Sequence, residues 1–129
     1  FTADLLRSIK IDCEVEFIKV QSYKGTQSTG NVKIISDIKT NLKGRHIIVV
    51  EDIIDSGKTI KFLISEFKKK SVKSISIATF LMKSNQQKFD FSIDYIGFEI
   101  KQGFVVGYGL DFNQKYRNLD SVYVLESKN

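Results

Sequence analysis

Ile47-Ile48-Val49-Val50-Glu51-Asp52-Ile53-Ile54-Asp55-Ser56-Gly57-Lys58-Thr59 is an apolar, β-branched run that reaches two adjacent acids, a third acid and then a small-residue turn. The pattern predicts a buried strand over 47–51 that stops at the acids, a short loop, and a helix over about 59–69. That helix carries Ile60, Phe62, Leu63, Ile64 and Phe67 among lysines. A turn of Ser, Gly and Thr at a helix start is an anion site, because unpaired backbone N–H groups and the helix dipole both favour a phosphate there. Two acids immediately upstream exceed what a cap needs. The segment therefore suits a ligand with a phosphate at one end and hydroxyls or a metal at the other. An NTP-binding P-loop is the competing motif, and Gly57-Lys58-Thr59 matches its end. Asp52, however, stands where that motif needs a glycine, and acids in the loop would repel a triphosphate.

Outward from this segment, 74–82 is a second near-continuous apolar strand, as expected in a parallel sheet covered on both faces. Strand–helix–strand over 47–82 is a βαβ unit, and ligands bind such sheets at the carboxyl ends of the strands. The topology brings Lys83, at the end of the second strand, towards the acids. Further strands are expected over 14–20, 32–36, 95–100, 105–108 and 122–125. A short helix is expected over 2–9 with Thr2 as its N-cap. Residues 22–31, rich in Ser, Gly, Thr and Gln, read as a mobile arm between two antiparallel strands. The fold class is α/β.

Bulk properties fit one domain over 1–129 with a substantial core: 42% of residues are apolar and 27% charged. The net charge of +5 suits a phosphate-rich ligand as well as a soluble surface. Lys68-Lys69-Lys70 ends a helix, where it complements the dipole, so nucleic acid is not the expected partner. Cys13 is the single cysteine, which excludes an intrachain disulfide and points to a reducing cytosol. Its expected place is buried packing, and His46 has no partner for metal or nucleophilic work. No stretch approaches the roughly 20 apolar residues of a membrane span. The chain opens at Phe1 inside an apolar pattern, which implies a natural N-terminus further upstream.

The 49–59 segment closely resembles the phosphoribosyl-pyrophosphate (PRPP) signature of type I phosphoribosyltransferases. Gln21-Ser22-Tyr23 is similar to the lid of the hypoxanthine-guanine members. Tyr95-Ile96-Gly97-Phe98-Glu99-Ile100, Gly103 to Asp111 and Lys115-Tyr116-Arg117 resemble their purine-binding C-terminal region. The three segments follow the family's order and span essentially the whole chain. The resemblance implies the type I phosphoribosyltransferase fold: a mainly parallel sheet flanked by helices, with a flexible antiparallel arm and a small purine-binding hood over about 83–117. The family's N-terminal strand and pyrophosphate-binding Leu-Lys-Gly loop have no counterpart, since Leu42-Lys43-Gly44 lies between later strands. The chain thus corresponds to the C-terminal three quarters of the enzyme.

The resemblance also implies chemistry: transfer of the 5-phosphoribosyl group of PRPP to hypoxanthine or guanine, giving IMP or GMP and pyrophosphate. Asp55, Ser56, Gly57, Lys58 and Thr59 would hold the 5-phosphate. Glu51 and Asp52 would accept hydrogen bonds from the ribose hydroxyls, and Asp55 would be the general base near the purine N7. Lys83 would meet the purine O6, Phe104 would stack on the base, and Val105 would offer backbone groups to its edge. Asp111 would stand near both purine and Mg²⁺, with Glu51 and Asp52 as further oxygen donors to the metal. Arg117 would contact pyrophosphate, and Ser22 and Tyr23 would close over the site. Gly103 occupies a position where relatives often carry lysine. A cytoplasmic homodimer or homotetramer is the family's usual form. The residues alone leave two alternatives: a PRPP-binding regulator without catalysis, and a transferase for another nucleobase.

Overall fold

The computed structural model describes residues 1–23, 31–84, 88–101 and 103–125. In order come α1 (Thr2–Ser8), β1 (Lys19–Tyr23), β2 (Asn31–Ser36), β3 (His46–Ile54), α2 (Lys58–Lys69), β4 (Ser74–Lys83), β5 (Tyr95–Ile100), β6 (Phe104–Val106) and β7 (Tyr123–Leu125). The chain divides into two compact units. One comprises Phe1–Lys10, Val49–Asp55 and Ile77–Asn129, and the other Ile11–Ile48 and Ser56–Ser76.

In the second of these units β1 and β2 form an antiparallel pair from Lys19↔Ser36 to Tyr23↔Asn31, interrupted by a register shift after Lys19. This is the expected arm; its tip, 24–30, lies outside the described residues, as do the side chains of Ser22 and Tyr23. Helix α2 buries Ile60, Leu63 and Phe67, three and four residues apart and so on one face. Lys70, just past its end, reaches Asp37 just past β2 at 2.7 Å. The His46 imidazole Nδ1 lies 2.7 Å from Ser74 Oγ, and Lys73 N–H donates to the Arg45 carbonyl at 2.8 Å. The first residues of β3 and β4 are therefore neighbours.

The other unit holds the strand ends. The sheet order is β3-β4-β5, and β4 pairs with β5 in parallel from Ala78↔Tyr95 to Lys83↔Ile100. Asp94 fixes that register from both sides: its carboxylate accepts from Ile77 N–H at 2.7 Å, and its own N–H donates to the Ile77 carbonyl at 3.0 Å. A separate antiparallel pair, β6–β7, forms the hood. Leu81, Val105 and Leu110 make a buried cluster flanked by Ile53, Phe80, Ile100 and Val122, so β4 and the hood share one core. Phe1 stacks on Phe80, which also meets Phe98 and Tyr108.

Several sequence expectations need correction. Strand β3 does not stop at Glu51; it continues through Asp52 to Ile54, because Ile53 and Ile54 are β-branched and Ile54 is buried. Ile48 is 58% exposed, so the strand is not buried throughout. The expected strand over 14–20 begins only at Lys19. Glu14 pairs with Arg45 at 2.7 Å and Glu16 accepts from the Thr40 hydroxyl, contacts that hold this stretch without a ladder. Thr2 is the first residue of α1 rather than its cap, which is Phe1. Strand β6 ends at Val106, and the next four residues turn. Cys13 is exposed, not packed.

Leu63 is 1% exposed. Leu63→Ala should cost about 2–5 kcal/mol of unfolding free energy, whereas Ile35→Ala on the exposed face of the arm should change it by under about 1 kcal/mol. Urea denaturation of both variants checks the contrast.

Candidate active site

The end of β3 and the loop after it supply the acids. Glu51 is half-buried while Asp52 is exposed, as the alternation of a strand requires. Burial, and secondarily the neighbouring Asp52 charge, push the Glu51 carboxyl up to about 7. Asp52 turns back on the chain and accepts from Ile53 N–H at 2.8 Å. Asp55 lies at the Lys83 ammonium, 2.9 Å from Oδ2 to Nζ. Lys83 is the last residue of β4, so adjacent strand ends bring together an acid and a base 28 positions apart in sequence. Starts adjacent at His46 and Ser74 and ends adjacent at Asp55 and Lys83 mean that β3 and β4 run parallel, as expected.

Ser56, Gly57, Lys58 and Thr59 belong to the unit that contains α2. Gly57 is the N-cap at φ 68°, ψ 0°, a left-handed conformation that L side chains rarely adopt. Its carbonyl accepts the first helical bond, from Lys61 N–H at 2.9 Å. Gly57 as N-cap makes no side-chain cap hydrogen bond, and the first turn contains no acid. The first N–H groups of a helix have no intrahelical acceptor and are the donors that attract anions.

The hood carries the rest. Phe104 is 50% exposed and meets Phe112 edge-on, with ring centroids 5.5 Å apart. Val105 and Val106 are buried, so Val105 faces the core with its side chain and has only its backbone to offer a ligand. Arg117 pairs with Asp111 at 3.0 Å and donates to the Gly109 carbonyl at 2.9 Å. The other Asp111 oxygen accepts from Gln114 N–H at 2.8 Å. Asp111 and Arg117 are thus an ion pair tied by further hydrogen bonds to Gly109 and Gln114. Among the described residues, no three His, Cys, Asp or Glu side chains cluster as a protein-only metal cage. Tyr108 and Asp4, joined by a hydrogen bond, escaped the sequence reading; the Gly107-Tyr108-Gly109 triplet was the available signal.

The family described as phosphoribosyl transferase domain matches residues 1–113. The hypoxanthine-guanine phosphoribosyltransferase of Bacillus subtilis is 46% identical over 127 residues, covering 98% of this chain and 71% of that protein. The hypoxanthine-guanine-xanthine phosphoribosyltransferase of Tritrichomonas foetus is 42% identical, covering 98% of this chain and 69% of that one. A crystal structure of a Bacillus anthracis hypoxanthine-guanine phosphoribosyltransferase superposes with a TM-score of 0.89 at 44% identity, over 97% of this chain and 74% of that one.

Glu51 makes stability depend on pH. Its folded pKa of about 7 lies above the ordinary 4.5, so between those values the folded state holds the extra proton and stability falls as pH rises. The loss should total about 3 kcal/mol by pH 8. Glu51→Gln should flatten that slope, as read from denaturation midpoints between pH 4 and 8.

Proposed function

The chain belongs to the phosphoribosyltransferase family, and from that premise we propose that it is a purine salvage enzyme making IMP from hypoxanthine or GMP from guanine, with PRPP as the donor. The observation that carries the purine reading is the Asp55–Lys83 pair at 2.9 Å. A carboxylate that accepts a proton and an ammonium that donates to a carbonyl oxygen are set side by side at the strand ends. A 6-oxopurine presents the complement: an N–H beside a C=O. An adenine presents a donor at position 6 and would leave the ammonium opposed by another donor.

In the transfer, the bond from ribose C1 to pyrophosphate oxygen breaks and a bond from C1 to a purine nitrogen forms. The purine gives up a proton to Asp55. Positive charge develops on the ribose and negative charge on the leaving group. The start of α2 at Gly57, with Ser56, Lys58 and Thr59, binds the 5-phosphate. Glu51 and Asp52 accept from the ribose hydroxyls. Phe104, half exposed, stacks on the purine face, and Val105 supplies main-chain groups to its edge. Arg117 contacts pyrophosphate, and Ser22 and Tyr23 close the arm over the reacting groups to exclude water.

Mg²⁺ is the expected metal. Asp111 spends one lone pair of each oxygen on Arg117 and Gln114 and retains the others. That set fits a cation held chiefly by the substrate's phosphates and by water, with one or two carboxylates from the protein. Asp111 and Asp52 would be its main protein donors, with Glu51 the weakest because it is half protonated near pH 7. When bound, the ion neutralises charge on the departing pyrophosphate. Among the described residues no helix is long and apolar enough to cross a membrane. A cytoplasmic homodimer or homotetramer completes the proposal.

The test is pyrophosphate release with PRPP, Mg²⁺ and each of hypoxanthine, guanine, xanthine and adenine. Release with hypoxanthine or guanine is expected, and release with adenine alone would overturn the reading. Asp55→Asn should lower kcat by about 10²- to 10⁴-fold while PRPP binding stays within about 3-fold. Full kcat in that variant would remove Asp55 as the base.

A further inference from the structure

Strand β6 leads into a turn of unusual backbone. Gly107, Tyr108 and Gly109 have φ of 92°, 53° and 99°, three consecutive residues in the left-handed region. A Cβ at Gly107 would stand 2.1 Å from the Ser121 carbonyl oxygen, so the turn lies hard against the chain returning to β7. Tyr108 is the only one of the three with a side chain to hold it, and a tyrosine in this conformation needs support from outside. It has three supports. Its N–H donates to the Leu119 carbonyl at 2.8 Å. Its ring packs on Phe80, centroids 5.2 Å apart, and its hydroxyl donates to Asp4 on α1, 104 positions earlier. Arg7 pairs with the other oxygen of Asp4, so that carboxylate is held by two partners.

This turn is what aims the Asp111–Arg117 pair. Arg117 donates to the carbonyl of Gly109, and the Gly109 N–H donates back to the Arg117 carbonyl at 3.0 Å. Gly107 and Leu110 exchange backbone bonds at 2.9 and 3.0 Å. Asp111 follows directly. Phe104 and Val105 have further supports of their own, through their pairing with Leu125 and Val124 and through the core around Leu81.

We propose that Tyr108, anchored by Asp4 of α1, is a positioning residue that sets the Asp111–Arg117 pair chiefly for the pyrophosphate side of PRPP. The proposal rests on the phosphoribosyl-transfer reading for the roles of Asp111 and Arg117. The anchoring itself is independent of it.

The experiment is steady-state kinetics of the full-length protein with Tyr108→Phe, Asp4→Ala, Asp4→Asn and the Tyr108→Phe/Asp4→Ala double variant. KM for PRPP should rise about 3- to 10-fold in Tyr108→Phe, the size of one net hydrogen bond, and by a larger factor than KM for the purine. The double variant should be no worse than Asp4→Ala, and Asp4→Asn, which keeps an acceptor, should recover part of the loss. Equal changes in both KM values, or additive losses in the double variant, would overturn the proposal. If the unaltered protein releases no pyrophosphate with any nucleobase, the functional reading fails, and amide hydrogen exchange in Tyr108→Phe then decides the anchoring. Faster exchange confined to 107–117 supports it. Unchanged exchange there removes it.

Discussion

The pairing of β4 with its neighbours is the constraint on which the site depends. Asp94 grips Ile77 by two backbone-directed bonds and so sets β5 on β4. A register slip of one residue would turn Leu81 out of the core and swing Lys83 to the opposite face, away from Asp55. The charged pair is therefore an outcome of strand registration, not of local preference. Its energetic value as an exposed ion pair is small, of order 0–1 kcal/mol, so packing holds the residues there for another reason than stability.

The hood depends on the same strand. Leu81 belongs to the cluster with Val105 and Leu110, and Phe80, on the alternate face, gathers Phe1, Phe98 and Tyr108. Successive residues of one strand thus serve two attachments. Leu81 secures the β-ribbon that carries Phe104, while Phe80 collects α1 and the strained turn. Gly107 and Gly109 remove the steric penalty at two of the three left-handed positions. Tyr108 bears it at the third and is compensated by packing and hydrogen bonds.

Much of this was legible in sequence where period and punctuation agree. The bounds of β5 match the expected 95–100, and α2 starts one residue earlier than expected, at Lys58, after a glycine that signals its own left-handed turn. The ordering of three motif segments was enough to identify the family. Sequence failed where distant partners decide the local state. Alternation over 14–18 promised a strand, yet Glu14 and Glu16 are held by Arg45 and Thr40 from a later segment. The acids at 51 and 52 looked like a stop signal, but a strand tolerates one on each face. The link between Asp4 and Tyr108 spans nearly the whole chain, and no window of local pattern contains it. Roles at the site are less legible than positions, because a lysine at a strand end acquires meaning only from the acid opposite.

The Asp55–Lys83 pair has a consequence for the medium in which the protein works. One negative and one positive charge sum to zero, so on the proposed role an uncharged base that inserted between them would exchange hydrogen bonds without altering the local field. Its affinity should then be nearly indifferent to ionic strength. On the proposed role of the start of α2, a polyanionic sugar phosphate would be drawn there, beside Lys58, and its attraction would fall as the Debye length shortens from about 30 Å at 0.01 M to about 8 Å at 0.15 M. On the proposed roles, affinity for the base and affinity for the sugar phosphate would thus answer to different solution variables, and the salt content of the surroundings would set which substrate limits occupancy.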